Sequence, residues 1–109
     1  MGGVKHDEGK RRWDLVPWDA VEEVCRVLEH GAGRYGARNW ERGIDYSRLF
    51  AAAMRHLTAW WGGEVDDPQS RRPHLAHAAC CVLFLLALEM RGHDEYDDRP
   101  CVSDGEAHR

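Results

Sequence analysis

The stretch RHLTAWWGGEVDDPQSRRPHLAH, from Arg55 to His77, reads as the end of one helix, a loop and the start of another. Leu57, Trp60 and Trp61 continue an apolar stripe that Gly62 and Gly63 stop, as glycine commonly does at helix ends. The same stretch gathers His56, Glu64, Asp66, Asp67, His74 and His77. His74 and His77 are three residues apart, so on a helix both leave the same face. His56 lies one helix earlier, on the edge of the apolar stripe. Imidazoles and carboxylates brought together by a helix–loop–helix can hold a divalent ion or activate a water. The bland readings are a histidine packed beside Trp60, two ordinary first-turn histidines and a solvated acidic loop. The coincidence of all three elements on one helical hairpin favours the site.

Working outward, the periodicity predicts an all-α domain with three main helices. The first runs from about Trp18 to Gly31, with Val21, Val24, Cys25 and Leu28 at 3.6-residue spacing and Pro17 in its first turn. The second starts after Asp45, a good N-cap, and carries Leu49, Phe50, Ala53 and Met54 ahead of Leu57. The third runs from Pro73 to about Met90 and is apolar almost all round between Ala78 and Leu88. A helix of that kind is enclosed on most sides. One partner surface in so small a monomer hardly covers it, so the bundle is expected to be completed by oligomerisation, as a homodimer or homotetramer. GAGRYGARNWERGID, between the first two helices, has room for a short helical turn. The chain divides into a single domain over 1–92, with an irregular opening segment at 1–16, and a polar tail over 93–109 expected to be disordered.

The chain has 109 residues and a net charge of −4, so it lacks the basic surplus of a polymeric nucleic-acid binder. The longest apolar run, Ala78 to Leu88, is about half the roughly 20 residues that a bilayer crossing needs. The opening MGGVKHDEGKRR lacks the apolar segment of a signal peptide. No membrane partner and a cytoplasmic location are therefore expected. Cys25, Cys80, Cys81 and Cys101 show neither CxxC spacing nor disulfide density, and they read as reduced, structural thiols.

Basic and aromatic residues form a second constellation. Lys5, Lys10, Arg11 and Arg12 precede the first helix, and Arg34-Tyr35 and Asn39-Trp40 follow it. A base needs a flat face and amides, and a triphosphate needs Lys or Arg. Asn39 with Tyr35 or Trp40 can supply the first, and Lys10, Arg12 and Arg34 the second. Five Trp in so small a domain support the other reading equally, core packing under solvated charges. The glycines at 31, 33 and 36 match no phosphate-binding fingerprint and read as turn residues.

The run K-x-D-x-G-K-x-R-W-D-L-V-P from Lys5, then G-A-x-R-Y-G-x-x-N-W from Gly31, then R-H-L-x-A-W with G-E-x-x-D and H-L-A-H, resembles the dATP/dGTP diphosphohydrolase family, N-terminal domain. These are phage and prophage proteins, related in outline to the all-α MazG-like nucleotide pyrophosphohydrolases. The resemblance covers about residues 5 to 90 and falls on Lys5, Asp7, Lys10, Arg12, Tyr35, Asn39, Trp40, Arg55, His56, Glu64, Asp67, His74 and His77. It implies metal-dependent hydrolysis of a purine deoxynucleoside triphosphate to the monophosphate and pyrophosphate. Glu64, Asp67, His74 and His77 would hold the metal or activate the water, with His56 beside them. Lys10, Arg12 and Arg55 would neutralise phosphates, and Tyr35, Asn39 and Trp40 would face the base. Lys5, Asp7 and Arg34 complete the expected substrate side. Mg²⁺ or Mn²⁺ is the first expectation for the metal.

One departure matters. MazG-like enzymes hold Mg²⁺ through an E-x-x-E and an E-x-x-D pair, whereas this chain has no E-x-x-E on its first helix and places His74-x-x-His77 at the second position. Mg²⁺ prefers oxygen ligands, and imidazole suits Mn²⁺, Fe²⁺, Co²⁺ or Zn²⁺. Three readings stay open: a different metal, histidines that transfer protons, or a phage-type module that sequesters a small signalling nucleotide without cleaving it.

Overall fold

Helix α3, His74–Met90, is the axis around which the chain is built. The structure is a computed structural model and describes residues 2–100. Before α3 come α1, Trp18–Tyr35, and α2, Tyr46–Trp61. Short 3-10 turns occur at Trp13–Leu15, Asn39–Arg42 and Asp94–Tyr96. Among the described residues there is no strand, only an isolated antiparallel bridge between Asp66 and Pro73. The fold is all-α, with the expected helical turn between α1 and α2.

Two apolar clusters meet on α3. Val24 and Val27 of α1 pack on Ala76, Cys80 and Phe84, and Tyr46 and Leu49 of α2 pack on Phe84, Leu85 and Leu88. Phe84 belongs to both, which explains why α3 is apolar on more than one side. Leu88 is 0% exposed. Burying such a side chain contributes about 1.5–3 kcal/mol. Cys80 and Cys81 are buried and free, and burial pushes the Cys80 thiol up to about 12. They behave as the small hydrophobes expected.

Three features differ from the sequence reading. Helix α1 continues past Gly31 and Gly33 and ends at Gly36, where φ is +95° and the N–H returns to the Ala32 carbonyl. Two interior glycines weaken a helix by about 1 kcal/mol each relative to alanine but do not break it. Asp45 sits at the N-cap of α2, yet its side chain makes no capping bond. Asp98 makes it instead, accepting from the Ser47 N–H at 2.8 Å and from the Ser47 hydroxyl.

The third difference follows from that cap. Residues 93–100, expected within a disordered tail, fold back: Tyr96 donates its hydroxyl to the Arg42 carbonyl at 2.9 Å and its ring covers Gly43. A Cβ on Gly43 would lie 1.9 Å from Tyr96 Cζ. The rest of the expected tail, 101–109, lies outside the described residues.

The α2 stripe divides between two environments. Tyr46, Leu49 and Ala53 are buried, whereas Phe50, Met54, Leu57 and Trp61 are exposed. On α3, Leu75, Val82, Leu83, Leu86 and Met90 are exposed as well. No helix of the described residues is long and apolar enough to cross a membrane.

Candidate metal centre

The loop between α2 and α3 folds onto itself and delivers its polar groups to one end of the hairpin. His74 donates its backbone N–H to the Val65 carbonyl at 2.8 Å, and Asp67 donates to the Arg72 carbonyl at 2.9 Å. Arg71 donates to the Asp67 carbonyl at 2.7 Å and turns the chain with φ +62°. The Asp67 carboxylate accepts the Ser70 N–H at 2.8 Å, so Asp67 caps this turn rather than α3. These bonds hold Asp67 beside the first turn of α3.

Histidines from both helices meet there. His56 Nδ1 of α2 lies 2.8 Å from His74 Nδ1 of α3. The other nitrogen of His74, Nε2, lies 2.6 Å from Glu64 Oε1, to which it donates. His74 is buried at 4% exposure, and Glu64 is exposed. The His77 ring stacks on the His56 ring, with centroids 4.5 Å apart and planes 8° apart. His77 Nε2 is 2.6 Å from Ser70 Oγ. A nitrogen of His56, a nitrogen of His74 and an oxygen of Asp67 all fall within 4.8 Å of one another.

The electrostatics favour uncharged imidazoles beside an ionised carboxylate. Burial, then His74, lowers the pKa of His56. Burial, then His56, lowers that of His77. Burial pushes the Asp67 carboxyl up, but hydrogen bonds from Ser70 and the nearby histidines outweigh it, and the net shift is downward. Metal ligands must be deprotonated, so these are the states a cation needs.

The donor set fits a divalent cation. Glu64 accepts a hydrogen bond from Nε2–H of His74, which leaves Nδ1 of His74 as a lone-pair donor. A carboxylate on the outer nitrogen of a ligating histidine is the arrangement that fixes its tautomer in metal sites. His56 Nδ1 and His74 Nδ1 stand at hydrogen-bond distance, 2.8 Å, so a cation held here would take the place of the proton they share. Imidazole suits Mn²⁺, Fe²⁺, Co²⁺ or Zn²⁺, whereas Mg²⁺ prefers oxygen ligands.

Residues 2–99 match the family described as dATP/dGTP diphosphohydrolase, N-terminal. The chain belongs to this family. It is also 35% identical over 99 residues to a dATP/dGTP diphosphohydrolase of Salmonella phage PMBT28, covering 91% of this chain and 33% of that one. The chain thus spans about a third of the length of the relative it matches. No solved structure matches it.

As a member of this family, the chain brings together His56, Glu64, Asp67, His74 and His77, and Arg55 adjoins them closely enough for its charge to act on His56. The other family-pattern residues lie apart. Lys5, Asp7 and Lys10 are exposed in the leading segment, and Arg12 is paired with Asp14 at 2.7 Å. The Arg34 guanidinium lies 5.1 Å over the Tyr35 ring, and Asn39 opens a 3-10 turn. Trp40 stacks on Phe84 at 4.9 Å and carries the Arg91 guanidinium 5.0 Å over its ring. Among the described residues, none of these shares a hydrogen bond, ion pair or ring contact with the histidine cluster.

Ser70 is a site neighbour that the sequence reading did not single out. Its Asp67-x-x-Ser70 spacing is that of a side-chain-closed turn, which is the signal that points to it. Ser70 also lines an open groove of about 670 Å³ with Arg72 and with Glu22, Cys25, Glu29 and His30 of α1.

Proposed function

We propose that the chain hydrolyses a purine deoxynucleoside triphosphate to the monophosphate and pyrophosphate with the aid of a divalent cation. The observation that carries this reading is the His56–Asp67–His74 constellation, oriented from behind by Glu64. The name of the phage relative, a dATP/dGTP diphosphohydrolase, supports the substrate class.

His56, Asp67 and His74 hold the cation, with Glu64 fixing His74, and His77 stacked on His56. When bound, such an ion polarises a phosphoryl oxygen and makes a water more acidic. A water attacks the α-phosphorus through its oxygen, and the bond from the α-phosphorus to the α–β bridging oxygen breaks. Pyrophosphate leaves, and the proton passes to solvent. Arg55, exposed beside His56, neutralises developing phosphate charge, Lys10 and Arg12 reach the polyphosphate once substrate gathers the leading segment, and Arg34 meets it from the end of α1. Tyr35, Asn39 and Trp40 are the base-side candidates, with Lys5 and Asp7 beside them. The exposed stripes of α2 and α3 bury against a second copy, giving a homodimer or homotetramer.

The test is incubation of the purified chain with a panel of nucleotides and with Mn²⁺, Co²⁺, Zn²⁺ or Mg²⁺, followed by chromatographic identification of products. Monophosphate and pyrophosphate in equal amounts, abolished by a chelator, are the expected result. Stoichiometric nucleotide binding without product would replace the enzyme by a sequestering module.

A further inference from the structure

Ser70 is bonded to both wings of the metal centre. Its backbone N–H donates to Asp67 Oδ2 at 2.8 Å, and its Oγ lies 2.6 Å from His77 Nε2. The same Oγ accepts the Arg72 N–H at 3.2 Å. We infer that Ser70 is a positioning residue of this centre, setting the Asp67 carboxylate with its amide and the His77 ring with its hydroxyl. The inference rests on the reading that His56, Asp67 and His74 take a divalent cation.

The Arg72 N–H occupies one lone pair of Oγ, and the hydroxyl has one proton of its own to place. Placed on His77 Nε2, that proton makes the hydroxyl the donor and puts the His77 proton on Nδ1, the arrangement that the tautomer measurement tests. The fixed His77 ring lies parallel on His56, and through that stack the hydroxyl sets the plane of a ligand. On the other wing, the Ser70 amide occupies Asp67 Oδ2 and leaves the second carboxylate oxygen to bond. The turn that allows both contacts is closed by Arg71 in the left-handed region, φ +62°. Outer partners of this kind typically hold metal affinity and ligand orientation together.

Two readouts on the full chain test this, one of them independent of metal. Long-range proton–nitrogen correlation spectra report the His77 tautomer, and the visible absorption of Co²⁺ reports uptake at the centre. Wild type and Ser70→Thr are expected to carry the proton on Nδ1, and Ser70→Ala and Ser70→Gly to lose that preference. Ser70→Ala is expected to weaken Co²⁺ uptake about tenfold or more, with Ser70→Thr within about threefold of wild type. Melting followed by circular dichroism confirms that each variant is folded, and Ser70→Gly serves where Ser70→Ala is not. An unchanged tautomer in the hydroxyl-deleted variants overturns the inference, as does unchanged Co²⁺ uptake while wild type binds. A wild type that takes up no Co²⁺ overturns the metal reading itself, which is a distinct outcome.

Discussion

His56 and His74 face each other Nδ1 to Nδ1 at 2.8 Å, although they stand on different helices and 18 residues apart. The contact exists only when α2 and α3 are packed and the loop has folded, so the site and the hairpin form together. Burial beneath the loop lowers the pKa of His56, and Glu64 at the rim fixes the tautomer of His74. Fold and chemistry are here the same set of interactions.

Removing a ligand separates the two. His56→Ala, Asp67→Asn and His74→Ala are each expected to weaken Co²⁺ or Mn²⁺ binding at least about tenfold in a calorimetric titration. His74→Ala also removes a buried, doubly bonded ring and is expected to lower stability by about 1–3 kcal/mol. Asp66→Asn, on an exposed side chain outside the constellation, should stay within about 0.5 kcal/mol and bind metal normally. Equal metal binding by wild type and Asp67→Asn would contradict the assignment.

Acid acts on the same groups. His56 and His77 have folded pKa values below their ordinary value of about 6.5, so the unfolded chain binds more protons than the folded one in this range. Stability is therefore fully present above about pH 6.5 and falls as the pH drops through the unfolded value toward the lowered folded ones. Metal affinity falls in the same direction, because an imidazolium cannot ligate. Asp67 has a lowered pKa, so its contribution persists until the pH falls below the ordinary carboxylate range. Urea melts between pH 5 and 8 check this, and a His56→Gln/His77→Gln double variant should flatten the dependence above about pH 5.

The sequence made the three helices legible because their apolar residues recur at helical spacing, and it made the cluster legible because four of its five members lie within one loop and the helix that follows. The end of α1 was not legible, since Gly31, Gly33 and Gly36 offer the same local signal and only Gly36 takes a positive φ. The α2 cap was not legible either: Asp98 lies 51 residues beyond Ser47, and nothing periodic links them. An aromatic residue looks the same whether it meets a base or another ring, and Trp40 stacks on Phe84. Which wing of the loop Ser70 would serve depended on the turn at Arg71, which no propensity indicates.

That distant cap gives a stability prediction. Asp98→Ala removes the acceptor of the Ser47 N–H and hydroxyl, and loss of an N-cap typically costs about 1 kcal/mol. A lowering of the melting temperature by about 4–8 °C is expected for a domain of this size. Amide exchange should quicken at Ser47 and in 93–97 without altering metal binding. Asp45→Ala should be milder, because its side chain makes no capping bond. The reverse order would show that Asp98 is not the cap in solution.

The last prediction concerns the apolar side chains left outside. Phe50, Met54, Leu57 and Trp61 on α2 and Leu75, Val82, Leu83, Leu86 and Met90 on α3 form two stripes open to solvent. Contiguous exposed apolar surface of this kind is uncommon on a monomer. At about 25 cal/mol per Å², burying even a few of these side chains contributes several kcal/mol before association costs. Leu88, Phe84 and Leu85 are already spent on the intramolecular core, so the shared interface is expected to centre on Leu86 and Phe50. Light scattering at micromolar concentration should return a dimer or tetramer mass. Leu86→Glu or Phe50→Glu should shift it toward the monomer and make the melting temperature less dependent on concentration, since association stabilises by mass action. A monomer mass for the wild type would leave both stripes unpaired and sink the assembly.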